Sequence, residues 1–242
     1  MKVNRILSKV RLLPALFAFF LINCIWGEVA WSAITHDGQF WIPLYNRVTL
    51  SEKFRGWFEV NPRFGDNISE IDQLLIRPAL GYQFTPSLSI WQGYAWITNY
   101  QPRFRDEHRL YQQVSYRRSF SSFKVFSRTR LEERFLQDAR GAAIRARQML
   151  RADFPFDKDQ IWGSVIYDEL FVNLNTVGSG PEGGFDQNRF FVGIHRKVNA
   201  HLSFDFGYQN QTINTRGPNI ADRMNHIILW QWFIDWGQLY GK

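Results

Sequence analysis

Between residues 39 and 236, stretches of roughly ten to fourteen residues alternate apolar and polar side chains, and each ends in a break rich in turn formers. Successive side chains of a β-strand point to opposite faces, so this alternation predicts strands with one apolar and one polar face. The breaks alternate between short and longer ones, as in barrels that carry tight turns at one end and loops at the other. The pattern therefore predicts a closed antiparallel β-barrel.

Eleven such segments can be drawn along the chain. They cover residues 39–50, 54–64, 71–84, 88–100, 107–120, 123–135, 142–156, 160–172, 185–198, 201–214 and 223–236. Strands of soluble sandwiches usually have five or six residues, whereas a tilted crossing of a bilayer needs about ten. The length of the segments therefore favours a transmembrane barrel over a soluble one.

An odd count conflicts with the even number of strands usual in single-chain bacterial barrels. An odd count also makes the first strand cross the membrane from the outer side to the inner side, which leaves the N-terminus on the outer side of the membrane. We therefore expect a further strand within residues 33–39, or one segment that is split or merged. The predicted fold is all-β: a closed antiparallel transmembrane β-barrel of about twelve strands over residues 33–242, with ten strands as the alternative.

Residues 1–32 have a different character. Lys2, Arg5, Lys9 and Arg11 precede an apolar stretch, and small residues follow near Ala30 and Ser32. This order predicts a secretory signal peptide that is cleaved, and the segment is too short to be a spanning helix. The single cysteine, Cys24, lies inside it, so the mature chain is expected to have no disulfide and no catalytic thiolate.

Composition and charge narrow the classes of partner. The chain is 17% aromatic, which suits the interfacial girdles of a barrel, and no apolar run is long enough for a membrane helix. Of the formal charge of +7, residues 1–32 contribute four cations and one anion, which leaves the mature part near +4. This weak excess gives no reason to expect nucleic-acid binding. We expect outer-membrane lipid around a monomer and no cofactor.

Several local patterns occur in the same order as in a known family. They are residues 72–77, 93–94, 107–112, 128–134, 145–147, 167–171 and 188–189. Together they resemble the family of outer-membrane β-barrel proteins called domain of unknown function 2490. The resemblance covers most of the chain from Trp41 onward and implies a barrel in the bacterial outer membrane, but no reaction. The aromatic end of segment 223–236 also resembles the signal that barrel-assembly machinery recognises.

Arginine dominates the polar faces that a barrel would turn inward. The lumen-lining candidates are Arg77, Arg128, Arg130, Arg134, Arg145, Arg147, Arg151, Arg189, Glu132 and Glu169. Arginines on the neighbouring segments 123–135 and 142–156 would form a cross-strand ladder of like charge, which is unfavourable without counter-ions. The ladder therefore requires carboxylates such as Glu132 and Glu169, solvent, or an anionic ligand.

Three functional hypotheses follow from this interior. A network of arginines and carboxylates can fill the lumen and serve only structure. A narrow path lined by arginine can bind or pass small anionic or polar solutes, here through Arg128, Arg130, Arg145 and Arg147. The third hypothesis is an outer-membrane lipid hydrolase that uses His108 or His226, but the sequence shows no nucleophile elbow and no partner for either histidine, so no catalytic or metal-binding residue is assigned.

Overall fold

The structure is a computed structural model that describes residues 34–215 and 221–238. These residues form twelve β-strands. They are β1 (Ile34–Trp41), β2 (Leu44–Thr49), β3 (Phe54–Gly65), β4 (Glu70–Gln83), β5 (Leu88–Asn99), β6 (Arg105–Ser119), β7 (Lys124–Leu136), β8 (Ala143–Pro155), β9 (Trp162–Asn173), β10 (Gly184–Lys197), β11 (Leu202–Ile213) and β12 (Asp222–Gln238). The predicted signal peptide and Cys24 lie outside the described residues. Among the described residues there is no helix long and apolar enough to cross a membrane.

The strands form one closed sheet, which confirms the predicted all-β barrel. Each strand from β2 to β11 pairs in antiparallel fashion with the next one in the chain. The ring is closed by β1 and β2, which both pair in parallel with β12 and in antiparallel fashion with β3. The expectation of a wholly antiparallel barrel is thus corrected at this one seam.

Strands β1 and β2 lie end to end and share one position in the ring. Trp41 pairs with Arg63 and Leu44 with Val60, so the two strands follow β3 without a gap. Pro43 separates them because it has no N–H to donate to the ladder. Its carbonyl still accepts from the N–H of Trp232, at 2.9 Å.

The described strands therefore number twelve, but the ring has eleven positions, and the expected even number does not hold. The region before residue 39 is a strand, as expected, yet it extends the first predicted segment and adds no hairpin. An eleven-position ring places its first and last strands side by side in the same direction, so a parallel seam is its geometric consequence. The joins after β2, β4, β6, β8 and β10 define the short-turn end, and the opposite rim is the long-loop end.

The two faces of the sheet differ sharply. Apolar side chains point outward and are exposed, for example Leu80 at 50% and Val192 at 48%, whereas the inward Glu132 is 1% exposed. A soluble protein buries its apolar residues and exposes its charges, so this arrangement is the reverse. Inside the barrel a Cβ on Gly93 would lie 2.1 Å from the Tyr111 ring, and one on Gly81 would lie 2.5 Å from the Trp91 ring. These glycines let large aromatic rings lie flat across neighbouring strands.

Candidate functional site

The residues predicted to line the lumen all lie on the inward face of their strands. They are Arg77 on β4; Arg128, Arg130, Glu132 and Arg134 on β7; Arg145, Arg147 and Arg151 on β8; Glu169 on β9; and Arg189 on β10. The register of β7 and β8 places Arg130 opposite Arg147 and sets Glu132 opposite Arg145. A continuous ladder of like charges is thereby interrupted by a carboxylate.

Glu132 and Glu169 each bind two arginines. Glu132 accepts from the Nη2 of Arg145 at 2.6 Å and from the Nη1 of Arg147 at 2.5 Å. Glu169 accepts from the Nη2 of Arg147 at 2.8 Å and from the Nη2 of Arg128 at 2.8 Å. Charge-assisted hydrogen bonds of this kind are the strong ones in a buried site. They join the neighbouring strands β7, β8 and β9 on the inner face of the barrel wall.

A second cluster lies nearer the long-loop end. Glu107 on β6 accepts from the Nε of Arg109 at 2.6 Å and from the Nε of Arg134 at 2.6 Å. Glu107 and Arg109 were not among the predicted lumen residues. Their period-two spacing with Tyr111 places all three on one face of the strand, and this is the signal that could have identified them. We call Arg109, Arg128, Arg134, Arg145 and Arg147, which share these three glutamates, the paired set.

Two further predicted arginines have acidic neighbours. The Nη1 of Arg77 lies 3.3 Å from Glu59. Arg151 binds Asp153 and Asp205, each at 2.6 Å. Both arginines therefore belong with the charges that are neutralised inside the barrel.

Three arginines behave differently, and we call Arg63, Arg130 and Arg189 the unpaired set. Each donates to the side-chain oxygen of a glutamine instead of a carboxylate. The partners are Gln73 at 2.7 Å, Gln113 at 2.6 Å and Gln187 at 3.2 Å, respectively. Arg130 forms a long ion pair with Glu132, at 3.7 Å and without a hydrogen bond, and within the described residues neither Arg63 nor Arg189 forms an ion pair, so the set is defined by the lack of a hydrogen bond to a carboxylate.

Each unpaired arginine also faces an aromatic ring. The guanidinium carbon of Arg63 lies 3.7 Å from the centre of the Trp41 ring, and that of Arg130 lies 4.1 Å from the centre of the Tyr111 ring. Arg189 lies 5.0 Å from the same Trp41 ring and 4.8 Å from Phe171. A cation over a ring gains about 0.5–2 kcal/mol, depending on desolvation. Glutamines and rings thus orient these guanidiniums, and among the described residues none of the three forms a hydrogen bond to a carboxylate.

Two cavities follow one another along the lumen. One cavity of about 290 Å³ lies at the long-loop end, and another of about 540 Å³ lies at the short-turn end. Both are bounded by the same layer, which we call the septum: Trp41, Arg63, Arg77, Arg147 and Arg189. Two members of the unpaired set belong to the septum, and Arg130 lines the short-turn cavity beside it.

Of the histidines, the two considered for a hydrolase each contact a tyrosine hydroxyl, and His195 contacts Asp205 at 2.7 Å. The Tyr94 hydroxyl lies 2.5 Å from the Nδ1 of His108, and the Tyr208 hydroxyl lies 2.7 Å from the Nδ1 of His226. The Nε2 of His226 also lies 3.0 Å from the Nδ1 of His36. In the described part of the chain neither His108 nor His226 hydrogen-bonds a serine or a carboxylate, and no cluster there has the ligands for a metal ion.

The fold and the lumen together define a closed β-barrel with an arginine-rich interior. The profile of the family described as "Protein of unknown function (DUF2490)" matches residues 38–223, and the chain belongs to this family. The chain is similar to an uncharacterised protein of Methylorubrum extorquens, at 36% identity over 216 residues that cover 86% of this chain and 92% of the relative. The resemblance drawn from the local patterns is confirmed.

Proposed function

We propose that the protein is a bacterial outer-membrane β-barrel that binds small anions in its lumen and does not conduct them freely. The outward faces support a membrane location, because exposed apolar side chains such as Leu80, Val192 and Phe206 would be unfavourable in water. Aromatic contacts near the short-turn rim, such as Phe54 with Tyr82, suit an interfacial girdle.

The unpaired set is the observation that carries the anion site. A charge taken out of water costs several kcal/mol unless a partner compensates it. Arg63 and Arg130 are 6% and 5% exposed, and glutamine oxygens offer them only partial dipole charges. An anion at the septum would neutralise guanidiniums that are already oriented by glutamines and rings. Preorganised donors of this kind favour binding because little ordering is left to be done.

The septum argues against free passage of solutes. Arg147 in the septum is bound on two sides, by Glu132 and by Glu169, so opening a path there would break charge-assisted hydrogen bonds in a buried site. The septum residues line both cavities, so a solute that passes from one to the other would meet them. The proposed role is therefore solute binding, and the purely structural barrel is the alternative that lacks an explanation for the unpaired set.

Two measurements test this function. In planar lipid bilayers the purified protein is expected to give no unitary current steps in potassium chloride. Inorganic phosphate is expected to raise the unfolding temperature of the wild type and to have little effect on Arg63→Gln or Arg189→Gln.

The control is Arg103→Gln, since the exposed Arg103 pairs with Asp138 in a loop, and this variant is expected to respond to phosphate like the wild type. Anion-selective current steps would overturn the closed lumen. An equal response to phosphate in the wild type and in both septum variants would overturn the anion site.

A further inference from the structure

The short-turn cavity has one wall that the binding of a simple inorganic ion does not explain. Phe233 on β12, Tyr45 on β2, Trp57 on β3 and Trp91 on β5 all line this cavity. Their rings form a continuous row in space. Between ring centroids, Phe233 lies 5.1 Å from Tyr45, Tyr45 lies 5.3 Å from Trp57, and Trp57 lies 6.5 Å from Trp91. We call these four residues the aromatic wall.

The sequence makes room for this wall at a specific glycine. Trp91 and Trp57 are separated by β4, and their contact requires the Trp91 ring to cross that strand. Gly81 is the β4 residue beneath the ring, where a Cβ would lie only 2.5 Å from the ring atoms. Any other residue at this position would displace the indole and interrupt the wall. The wall is thus a built feature of the interior, formed where a lumen of polar side chains would be expected.

The opposite side of the same cavity carries arginines, with the carboxylates Asp153 and Glu169 among them. Arg128 and Arg130 on β7 line it, and β7 lies across the ring of strands from β2. The buried Nη1 of Arg130, which lies 3.7 Å from Glu132, and the Nε of Arg128 have no hydrogen-bond partner. Arg77, whose Nε is likewise without a partner, lies at the septum end of the cavity. A ligand in this cavity would therefore meet aromatic faces on one side and unused guanidinium donors on the other.

We infer that the short-turn cavity binds an organic anion that carries a planar apolar group. The anionic group would lie at Arg130 and the septum, and the planar group would lie against Trp57 and Trp91. The cavity of about 540 Å³ falls within the range of about 300–1,000 Å³ that is typical for sites of small organic ligands. Its lining includes Pro86 and Lys124 at the short turns, so the ligand would enter from that end. This inference rests on the proposed anion site and specifies its ligand.

Isothermal titration of the refolded full chain in a non-ionic detergent tests the inference with three probes. Phenyl phosphate carries both groups, inorganic phosphate carries only the anion, and phenol carries only the ring. Phenyl phosphate is expected to bind about tenfold more tightly than inorganic phosphate, because a stacked ring adds to the charge interaction. Phenol is expected to bind more weakly than either.

Variants then separate the two halves of the site. Trp57→Leu is expected to reduce the preference for phenyl phosphate to about twofold while the affinity for inorganic phosphate is unchanged, and Arg130→Gln is expected to weaken both anions. Trp230→Leu, on the outward face, serves as the matched control and is expected to behave like the wild type. Retention of the near-ultraviolet circular dichroism spectrum shows that each variant is folded.

The outcomes distinguish the two proposals. If phenyl phosphate and inorganic phosphate bind equally well, or if Trp57→Leu keeps the full preference, the organic ligand is excluded and the anion site stands. If phenol binds as tightly as phenyl phosphate, simple apolar partition explains the signal and the inference is wrong. If none of the three probes binds, both proposals fail.

Discussion

Two groups of arginines lie a few ångströms apart in one lumen, yet they have opposite surroundings. The paired set shares Glu107, Glu132 and Glu169 through hydrogen bonds of 2.5–3.2 Å. The unpaired set binds glutamine oxygens and lies on aromatic rings. Glutamine can accept a hydrogen bond but cannot neutralise a charge. The first group stabilises the barrel wall, and in the proposed function the second keeps its charge available to a ligand.

The largest effect is expected when the carboxylate at the centre of the paired set is removed. Glu132→Gln leaves Arg145 and Arg147 buried with one fewer counter-charge each, and breaking a buried pair in this way costs about 3–5 kcal/mol. Denaturant unfolding of the refolded barrel, followed by tryptophan fluorescence, measures the loss.

Glu133→Gln is the matched control, because Glu133 is the next residue of β7, points outward and forms no ion pair among the described residues. Its free energy of unfolding is expected to stay the same or rise. Equal losses in both variants would mean that Glu132 has no special role in the paired set.

A sharper comparison replaces one arginine of each group by methionine. Arg147 and Arg63 both belong to the septum and both face an aromatic ring, Phe171 at 4.4 Å and Trp41 at 3.7 Å. Arg147→Met leaves two glutamates short of a partner and is expected to lower the free energy of unfolding by about 3 kcal/mol. Arg63→Met removes a charge without a counter-ion, which offsets the lost ring contact, so the change is expected to stay within about 1 kcal/mol.

Phosphate provides the second readout for this pair of variants. The wild type is expected to gain stability as phosphate is added, because a ligand that binds the folded state stabilises it by mass action. Arg63→Met is expected to lose this gain. If Arg63→Met were as destabilising as Arg147→Met, the division into two groups would be wrong.

The third prediction concerns how the unpaired set is held in place. Gly93→Ala would bring a Cβ to 2.1 Å from the Tyr111 ring, on which Arg130 lies. The ring must shift, and overpacking of this kind costs about 1–3 kcal/mol. Phosphate affinity is expected to fall as Arg130 loses its support.

Gly38→Ala is a suitable control, since Gly38 points outward and the nearest atom to its added Cβ would be the Asn67 Oδ1 at 3.4 Å. It should leave both stability and phosphate affinity nearly unchanged. Unaltered phosphate affinity in folded Gly93→Ala would show that the Tyr111 ring does not position Arg130.

Much of this barrel could be predicted because its signal is local. Alternation fixes both faces of a strand, and the predicted segments from 54–64 onward end within two residues of β3 to β12. The way in which the ring closes could not be predicted from this alternation. The alternation continues unchanged across Pro43, and it does not predict that β1 and β2 both pair in parallel with β12.

The interior was harder to predict, for two physical reasons. Which arginine meets which carboxylate depends on register and on contacts that skip a strand, such as Arg128 on β7 with Glu169 on β9. A slip of one residue would exchange every inward side chain for an outward one. Apolar rings were also expected to face lipid. The pattern therefore did not predict that Trp41, Tyr111 and Phe171 would lie in the lumen in contact with arginines.

The smallest effect is expected for an arginine that is paired but open to solvent. Arg47 on β2 donates to Asp235 on β12 across the parallel seam, and the two side chains are 43% and 34% exposed. Exposed ion pairs contribute about 0–1 kcal/mol, since water already solvates both charges. Arg47→Gln is therefore expected to lower the free energy of unfolding by less than about 1 kcal/mol, and high salt should reduce the difference further. Because Asp235 neutralises Arg47, phosphate binding should not change. If Arg47→Gln lowered the free energy of unfolding as much as Glu132→Gln does, the stability of the seam would depend on this ion pair. Burial would then not decide how much each arginine contributes to stability.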